Sequence, residues 1–475
     1  MLDRLAAIVG PRGLTVDAVG MEPWLTDWRG RRTGRALAVV SPASTAEVSA
    51  VVALCAAERQ PVFSVGGNTG LCYGAVPESP DPQRPGIALS LRRMNRVRGI
   101  DRAANIATVD AGTVLADLHA AADEAGRQFP LRLGSEGSAQ LGGLISTNAG
   151  GTGVVRYGPT RDLVAGLEVV LPDGRVLSDL AALKKDNTGY LLRELFVGAE
   201  GTLGVITGAA LRLFPRTPNR AHAWVVVPDP AAAVTLLAAF QDRAGPYIEA
   251  FELLSGSQIR QVERHIERAR IPFAALPEWS VMIELAAVDP DAALAEVLET
   301  VLGHALDEGT LTDAVVAASA QQAAEIWHVR HSVSEANKKE GIGVVHDIAL
   351  RISDAPVFIE RANALAAARF PEAVTQVVSH LGDGNVHWIM MFPRAYWAAL
   401  PDQEGFALTV ERAFHDIAAN LSGTFSAEHG VGRKLTAELQ RLADPVRYEF
   451  MQRIKAVFDP SGLMNPGVLL EGGAR

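Results

Sequence analysis

An α+β fold of two or three domains is expected of these 475 residues on three grounds. The length exceeds what one hydrophobic core ordinarily serves. Between residues 66 and 207 glycine-rich loops repeatedly interrupt short apolar runs. From about 218 to 430, strand-like and helix-like stretches alternate, which suggests a sheet covered by helices on one face. The composition, 48% hydrophobic and 21% charged, is that of a globular protein. A net charge of −10 argues against nucleic acid as the main partner. No apolar run reaches the length of a bilayer span. Met1 to Gly10 lacks the basic start and long apolar stretch of a signal peptide, so a cytoplasmic location is expected. Cys55 and Cys72 give neither a disulfide framework nor zinc-ribbon spacing and read as small packing residues in a reducing compartment.

In chain order, Leu37–Val40 is apolar and extended. Ser44 or Thr45 can cap a helix that carries Glu47 in its first turn. Pro61–Val65 is the next strand and runs into a glycine loop. Residues 97–175 read as β-rich, with short strands at Asn105–Val109 and Gly166–Leu171. Arg212–Arg216, followed by Pro218, looks like a boundary. Beyond it, Ala223–Val227, Ser280–Leu285, Thr312–Ala317, Val344–Leu350, Val374–Val378 and Val386–Met391 read as strands. Helical stretches at 230–243, 256–267, 290–306, 321–338 and 354–368 lie among them. Residues 432–458 read as helix again, and the turn-rich tail Ser461–Gly467 is too short to fold alone, so it docks on another domain. The expected divisions are 1–217, 218–430 and 431–475.

The richest stretch for chemistry is Ser379-His380-Leu381-Gly382-Asp383-Gly384-Asn385-Val386-His387. Asp-Gly is a strong two-residue hairpin signal. With Asp383 and Gly384 as the loop, His380 stands directly opposite His387. Such cross-strand neighbours are about 5 Å apart at Cβ, a gap that one metal ion can bridge. The cluster Ala427–Lys434 could supply a carboxylate, Glu428, and a base, His429. Two His and one Glu with an open position suit a catalytic metal. The same residues also read as structural hairpin histidines and a helix-capping Glu428.

Gly66-Gly67-Asn68-Thr69-Gly70-Leu71 follows a strand, and its glycines permit positive φ and close approach of N–H groups to an anion. It matches neither the dinucleotide fingerprint nor the P-loop, and alone it is a turn. Gly134–Ser138, Leu141–Gly151 and Gly198–Thr207 add three more such loops. Together they suit a long ligand with a pyrophosphate.

These loops, in order with Pro130–Gly151, Asp186–Tyr190, His380–His387, Glu428–Gly432 and Asn465–Gly467, resemble the FAD-binding oxidoreductases of the vanillyl-alcohol-oxidase type with an FAD-linked oxidase C-terminal domain. The resemblance covers essentially the whole chain and is nearest to the D-2-hydroxyacid dehydrogenases, which act on D-2-hydroxyglutarate, D-lactate or glycolate. It implies a two-subdomain FAD-binding domain over 1–217. An antiparallel-sheet substrate or cap domain covered by helices would follow over 218–430, and residues 431–475 would return to the flavin domain. By this resemblance Gly66, Gly67, Asn68, Thr69 and Gly70 wrap the FAD pyrophosphate, with Leu71 and Gly74 beside them. Ser138, Gly142, Gly143 and Asn148 would line the isoalloxazine and ribityl side. Gly201, Gly204 and Ile206 would lie along the ribose and adenine, and Asn465 would return to the flavin. Relatives that attach FAD covalently use a His or Cys near these loops. Asn68 and Thr147 stand there instead, so FAD is expected to be non-covalent, with Cys72 the thiol nearest in sequence.

The resemblance further implies hydride transfer from C2 of a D-2-hydroxy acid to flavin N5. His380, His387 and Glu428 would hold Zn²⁺, with Mn²⁺ or Co²⁺ as alternatives. His429 would be the general base, with an ordinary pKa near neutrality. Helical spacing puts Trp327, Arg330 and Ser334 on one face, where Arg330 and Ser334 match the family's substrate-binding arginine and hydroxyl. A surface arginine on a long helix is the plain alternative. His346 is either a packing residue or a neighbour of the substrate. Hydroxyglutarate enzymes of this type tend to carry Lys and Asn where this chain has Val345 and Ile389. Either another cation, Arg351 or Lys339, grips the distal carboxylate, or the substrate's side chain is less polar. The expected acceptor is an electron-transfer flavoprotein or quinone rather than NAD, and a homodimer is the expected assembly. The other readings are a partner-dependent flavin subunit of a glycolate-oxidising complex and a flavin-free metallohydrolase.

Overall fold

The computed structural model describes residues 1–471, which fold as two compact units. The first comprises Met1–Gly150, Gly158–Arg216 and the chain from Glu428; the second comprises Gly151–Tyr157 and Thr217–Ala427. The fold is α+β, with antiparallel sheets dominant. Among the described residues no helix is long and apolar enough to cross a membrane.

The first unit contains two main sheets, one for each of its subdomains. One has the order Leu14–Thr15, Val39–Val40, Ile87–Ser90, Val62–Val65, and its last three strands are parallel. Ser44 caps the crossover helix Thr45–Ala57 by accepting a hydrogen bond from the Glu47 N–H. The other sheet is antiparallel, in the order Val97–Asp101, Ile106–Asp110, Val205–Arg212, Val164–Val170, Val176–Asp179. The tail returns to this unit. The Val62 N–H donates to the Leu463 carbonyl at 2.9 Å, and the Asn465 N–H donates to the Val62 carbonyl at 2.8 Å.

The second unit is built on seven antiparallel strands. From edge to edge they run Asp313–Val316, Asn219–Val227, Trp279–Ala287, Ile248–Ser255, Val374–His380, Asn385–Phe392, Ile342–Ala349. Helices cover both faces, not one. Trp224, Leu254, Met282 and Val378 pack under Ile259 and Val262 of one helix and Ile326, Val329, Val333 and Ala336 of two others. On the opposite face Phe251 meets Phe240, and Trp388 meets Phe414 at 4.3 Å between ring centroids. This is why the strands read as nearly continuous apolar runs.

The local structure departs from expectation at several points. The stretch 141–151 is not a loop throughout, since Leu141–Thr147 is a helix, and 432–458 is two helices, Thr436–Leu442 and Pro445–Phe458. The stretch 321–338 is two helices, Ala320–His331 and Val333–Glu340, broken at Ser332. Strand Ile248–Ser255 lies outside the expected strands; it carries Glu249 and Glu252 within an apolar run. The hairpin register also differs. Leu381–Asp383 forms a 3₁₀ turn and Gly384 takes φ 82°, so the loop holds four residues and His380 pairs with Asn385. His387 pairs with Val378, two residues farther along, so the histidines are diagonal neighbours on one face.

Candidate active site

In the first unit the glycine-rich segments converge on an open cavity, about 1010 Å³ of empty space when the adjoining solvent is included. Gly66, Gly67, Asn68, Thr69, Gly70 and Gly74 line it, with Gly142, Gly143, Gly201, Gly204, Ile206 and Asn465. Leu71, Ser138 and Asn148 do not. The Ser138 carbonyl instead packs where a Cβ on Gly67 would collide with it. Asn148 ends helix Leu141–Thr147 in the left-handed region and accepts from the Arg161 N–H. The cavity fits FAD because its glycines keep it open. An added Cβ on Gly70 or Gly143 meets no protein atom within 4 Å, so side chains there would project into the cradle. Asn68 holds φ 53° and donates from Nδ2 to the Thr26 carbonyl at 2.7 Å, which fixes the loop's turn.

Cys72, Glu200 and His429 also line this cavity. Cys72 donates from Sγ to the Gly430 carbonyl at 3.3 Å. The Glu200 carboxylate accepts from the Val431 and Gly432 N–H groups, each at 2.8 Å. Burial pushes its pKa up to about 7, against the opposing pull of those two donors. His429 Nε2 lies 3.8 Å from Glu428 Oε1.

In the second unit, adjacent strands bring together Glu252, His380, His387 and Asp347. Glu252 and His380 are in-register partners, as are Asp347 and His387. Glu252 Oε1 lies 2.7 Å from His380 Nδ1, and Oε2 accepts from Arg330 Nε at 2.7 Å. Asp347 Oδ1 lies 3.5 Å from His387 Nδ1. It also accepts from Asn385 Nδ2, while Oδ2 accepts from the Ala427 N–H, both at 3.0 Å. The two imidazoles stand 5.4 Å apart at their centroids and nearly perpendicular. A carboxylate only accepts, so at Glu252 the hydrogen sits on His380 Nδ1, which directs ligation to Nε2. A histidine backed in this way by a carboxylate is a typical metal ligand, and with His387 beside it on the same face the donor types suit a divalent ion. Glu428, the next residue after Ala427, is counted with the first unit, as is His429.

Other expected substrate groups fare differently. Arg330 spends its Nε on Glu252, so only part of its guanidinium fork remains to meet a carboxylate. Ser334 is exposed and lies on the separate helix beyond the Ser332 break. His346 has no exposed surface. Its Nδ1 lies 3.1 Å from the Trp388 carbonyl and its ring packs on Phe414 and His415, the setting of a packing residue. Arg351 is 77% exposed and ion-paired with Asp354, and Lys339 pairs with Glu335. Sequence reasoning missed the roles of Glu252, Asp347 and Glu200. The available signal was a lone carboxylate within an otherwise apolar run, since a buried charge requires a partner.

Residues 216–469 match the family described as FAD linked oxidases, C-terminal domain, and residues 36–179 match the FAD binding domain family. The chain belongs to the FAD-linked oxidases. It is an FAD-linked oxidoreductase. Its relatives include the D-2-hydroxyglutarate dehydrogenase of Xanthomonas citri pv. viticola, 35% identical over 96% of this chain and 94% of that one. The mitochondrial D-2-hydroxyglutarate dehydrogenase of Arabidopsis thaliana is 31% identical over 97% and 79%. Among solved structures, p-cresol methylhydroxylase aligns with a TM-score of 0.76 at 16% identity, covering 99% of this enzyme and 96% of that chain. At that identity the likeness concerns the fold alone.

Proposed function

We propose that this enzyme is a divalent-metal-dependent dehydrogenase that oxidises a D-2-hydroxy acid to the 2-oxo acid. The observation that carries the reading is the pair of imidazoles on one sheet face, each with a carboxylate at Nδ1. The proposed ligands are His380, His387 and Glu428, with Zn²⁺ first and Mn²⁺ or Co²⁺ as alternatives. When bound, FAD supplies a two-electron acceptor and the metal a Lewis acid that lowers the hydroxyl pKa. His429 takes the hydroxyl proton at a ring nitrogen. Glu252, hydrogen-bonded to His380 Nδ1, would hold that imidazole in the tautomer with Nε2 available, and Asp347 places a negative charge 3.5 Å from His387 Nδ1. The electrons pass to a flavoprotein carrier or quinone.

The substrate's side chain is short or apolar. Next to the Asp347–His387 pair, on the same face, come Val345 opposite Ile389 and Gly343 opposite Met391. Neither strand contains a Lys or Arg, so these strands themselves offer no cation to a second carboxylate lying there. The names of the relatives favour D-2-hydroxyglutarate as the second reading.

Anaerobic flavin bleaching separates these readings, with D-2-hydroxyglutarate, D-lactate, D-malate, glycolate and D-mandelate as candidates. D-lactate or D-mandelate should reduce the flavin faster than D-2-hydroxyglutarate, and their L forms should not reduce it. The reverse order would favour the second reading. No reduction by any of them would indicate a partner-dependent subunit. Chelation should abolish reduction and Zn²⁺, Mn²⁺ or Co²⁺ restore it. His429→Ala should retain FAD and slow reduction by roughly 10²–10⁴-fold. Val345→Lys combined with Ile389→Asn should move the kcat/KM preference toward D-2-hydroxyglutarate by about tenfold or more, the worth of one buried polar partner.

A further inference from the structure

We infer that Glu200 is a positioning residue for His429, holding the loop that carries this histidine against the wall of the FAD cavity. The inference rests on the proposed role of His429 as the base. Glu200 is 8% exposed and lines the same cavity as His429. Its two oxygens take separate donors on consecutive residues, Oε1 from the Val431 N–H and Oε2 from the Gly432 N–H, both at 2.8 Å. A two-point grip of this kind fixes the orientation of a peptide as well as its position.

The loop is shaped to receive the grip. Gly430 and Gly432 hold φ 79° and φ 55°, which turns both N–H groups toward one carboxylate. A Cβ on Gly430 would come within 3.1 Å of Glu200 Oε1, and one on Gly432 would collide with the Cys72 carbonyl. Cys72 adds a third tie by donating from Sγ to the Gly430 carbonyl. Glu200 is itself anchored on both sides. Its N–H donates to the Ser146 carbonyl at 2.8 Å, and its carbonyl accepts from Asn465 Nδ2 at 2.7 Å. It holds φ 50°, a left-handed position unusual for a residue with a side chain. If only packing were needed here, an apolar residue would serve without the cost of burying a carboxylate. What the carboxylate adds is a fixed place for the segment two residues beyond His429. A general base displaced by about 1 Å can lose on the order of 10²-fold in rate.

A double-mutant cycle on the FAD-loaded enzyme tests this. Glu200→Gln presents an amide NH₂ to one of the two N–H groups and so breaks half of the grip. Flavin reduction should slow by about 10–100-fold while the FAD-to-protein ratio and flavin absorption are kept. In a His429→Ala background the same substitution should change the rate by less than about twofold, because its route of action is gone. Equal slowing in both backgrounds would overturn the inference in favour of a purely structural carboxylate, and so would no slowing in the parent enzyme. If His429→Ala alone leaves reduction unchanged, the base assignment fails, and that result is visible separately. Should the Gln variant not hold FAD, Gly430→Ala strains the grip from the loop side. It should show the same slowing and the same dependence on His429; an unchanged rate would overturn the inference.

Discussion

Glu252 is 1% exposed between Arg330 and His380. Burial by itself would raise its pKa, but the Arg330 charge and then His380 more than offset this and bring it to about 2. A folded-state pKa below the ordinary 4.5 stabilises the fold above about pH 4.5, and the contribution is lost as pH falls through about 2. Its size is on the order of 3 kcal/mol. Glu252→Gln should therefore flatten the acid limb of the stability curve between pH 4.5 and 2, measured by denaturant titration at each pH. Near neutral pH it should destabilise the protein by about 3–5 kcal/mol, since Arg330 loses its buried counter-charge. Metal affinity, read by equilibrium dialysis, should fall roughly 10–100-fold as His380 loses its backing. An unchanged affinity would show that Glu252 serves stability alone. None of this was legible around residue 252, where Phe251-Glu252-Leu253 names no partner. His380 and His387 were legible because they flank a turn signal within one short motif.

The hairpin between those histidines shows what local patterns carry and what they miss. The Asp383-Gly384 signal located the turn correctly but not its length. Asp383 Oδ1 accepts from the Asn385 N–H at 3.0 Å, and a 3₁₀ turn precedes the left-handed Gly384, which lengthens the loop. The resulting register differs from the two-residue version by two positions, and a shift of two keeps a side chain on its face. That parity is why the expectation of neighbouring histidines survived an incorrect pairing. Gly384→Ala tests the turn. Besides φ 82°, a Cβ there would collide with the Leu350 carbonyl, so the substitution should cost about 2 kcal/mol or more and lower bound metal. Wild-type stability and metal content in this variant would count against a strained turn holding the site. The break at Ser332 could not be read in this way. Nothing local stops the helical pattern from 321 to 338, and Val333 and Ala336 still join Val329 in one core cluster across the break.

For the whole molecule, the cradle makes a thermodynamic prediction. A ligand that binds only the folded state stabilises it by RT ln(1 + [L]/Kd), about 2.7 kcal/mol at a hundredfold excess over Kd. Adding FAD to cofactor-stripped protein should raise the thermal midpoint in proportion to the logarithm of its concentration, seen by calorimetry. A midpoint indifferent to FAD would contradict the cradle. The sequence by itself carried the family resemblance, the glycine-rich segments (though Leu141–Thr147 is a helix), most strands and helices of the second unit, and the candidates for ligands and base. Those features are written in residues a few positions apart: turn signals, caps, and short apolar runs bounded by loop residues. Only the tertiary structure decided how the charges are compensated. Glu252 meets His380 across 128 positions, and Glu200 meets Val431 across 231. The reason is physical. A buried carboxylate must be satisfied by donors that approach through space, and the separation of those donors along the chain leaves no local pattern.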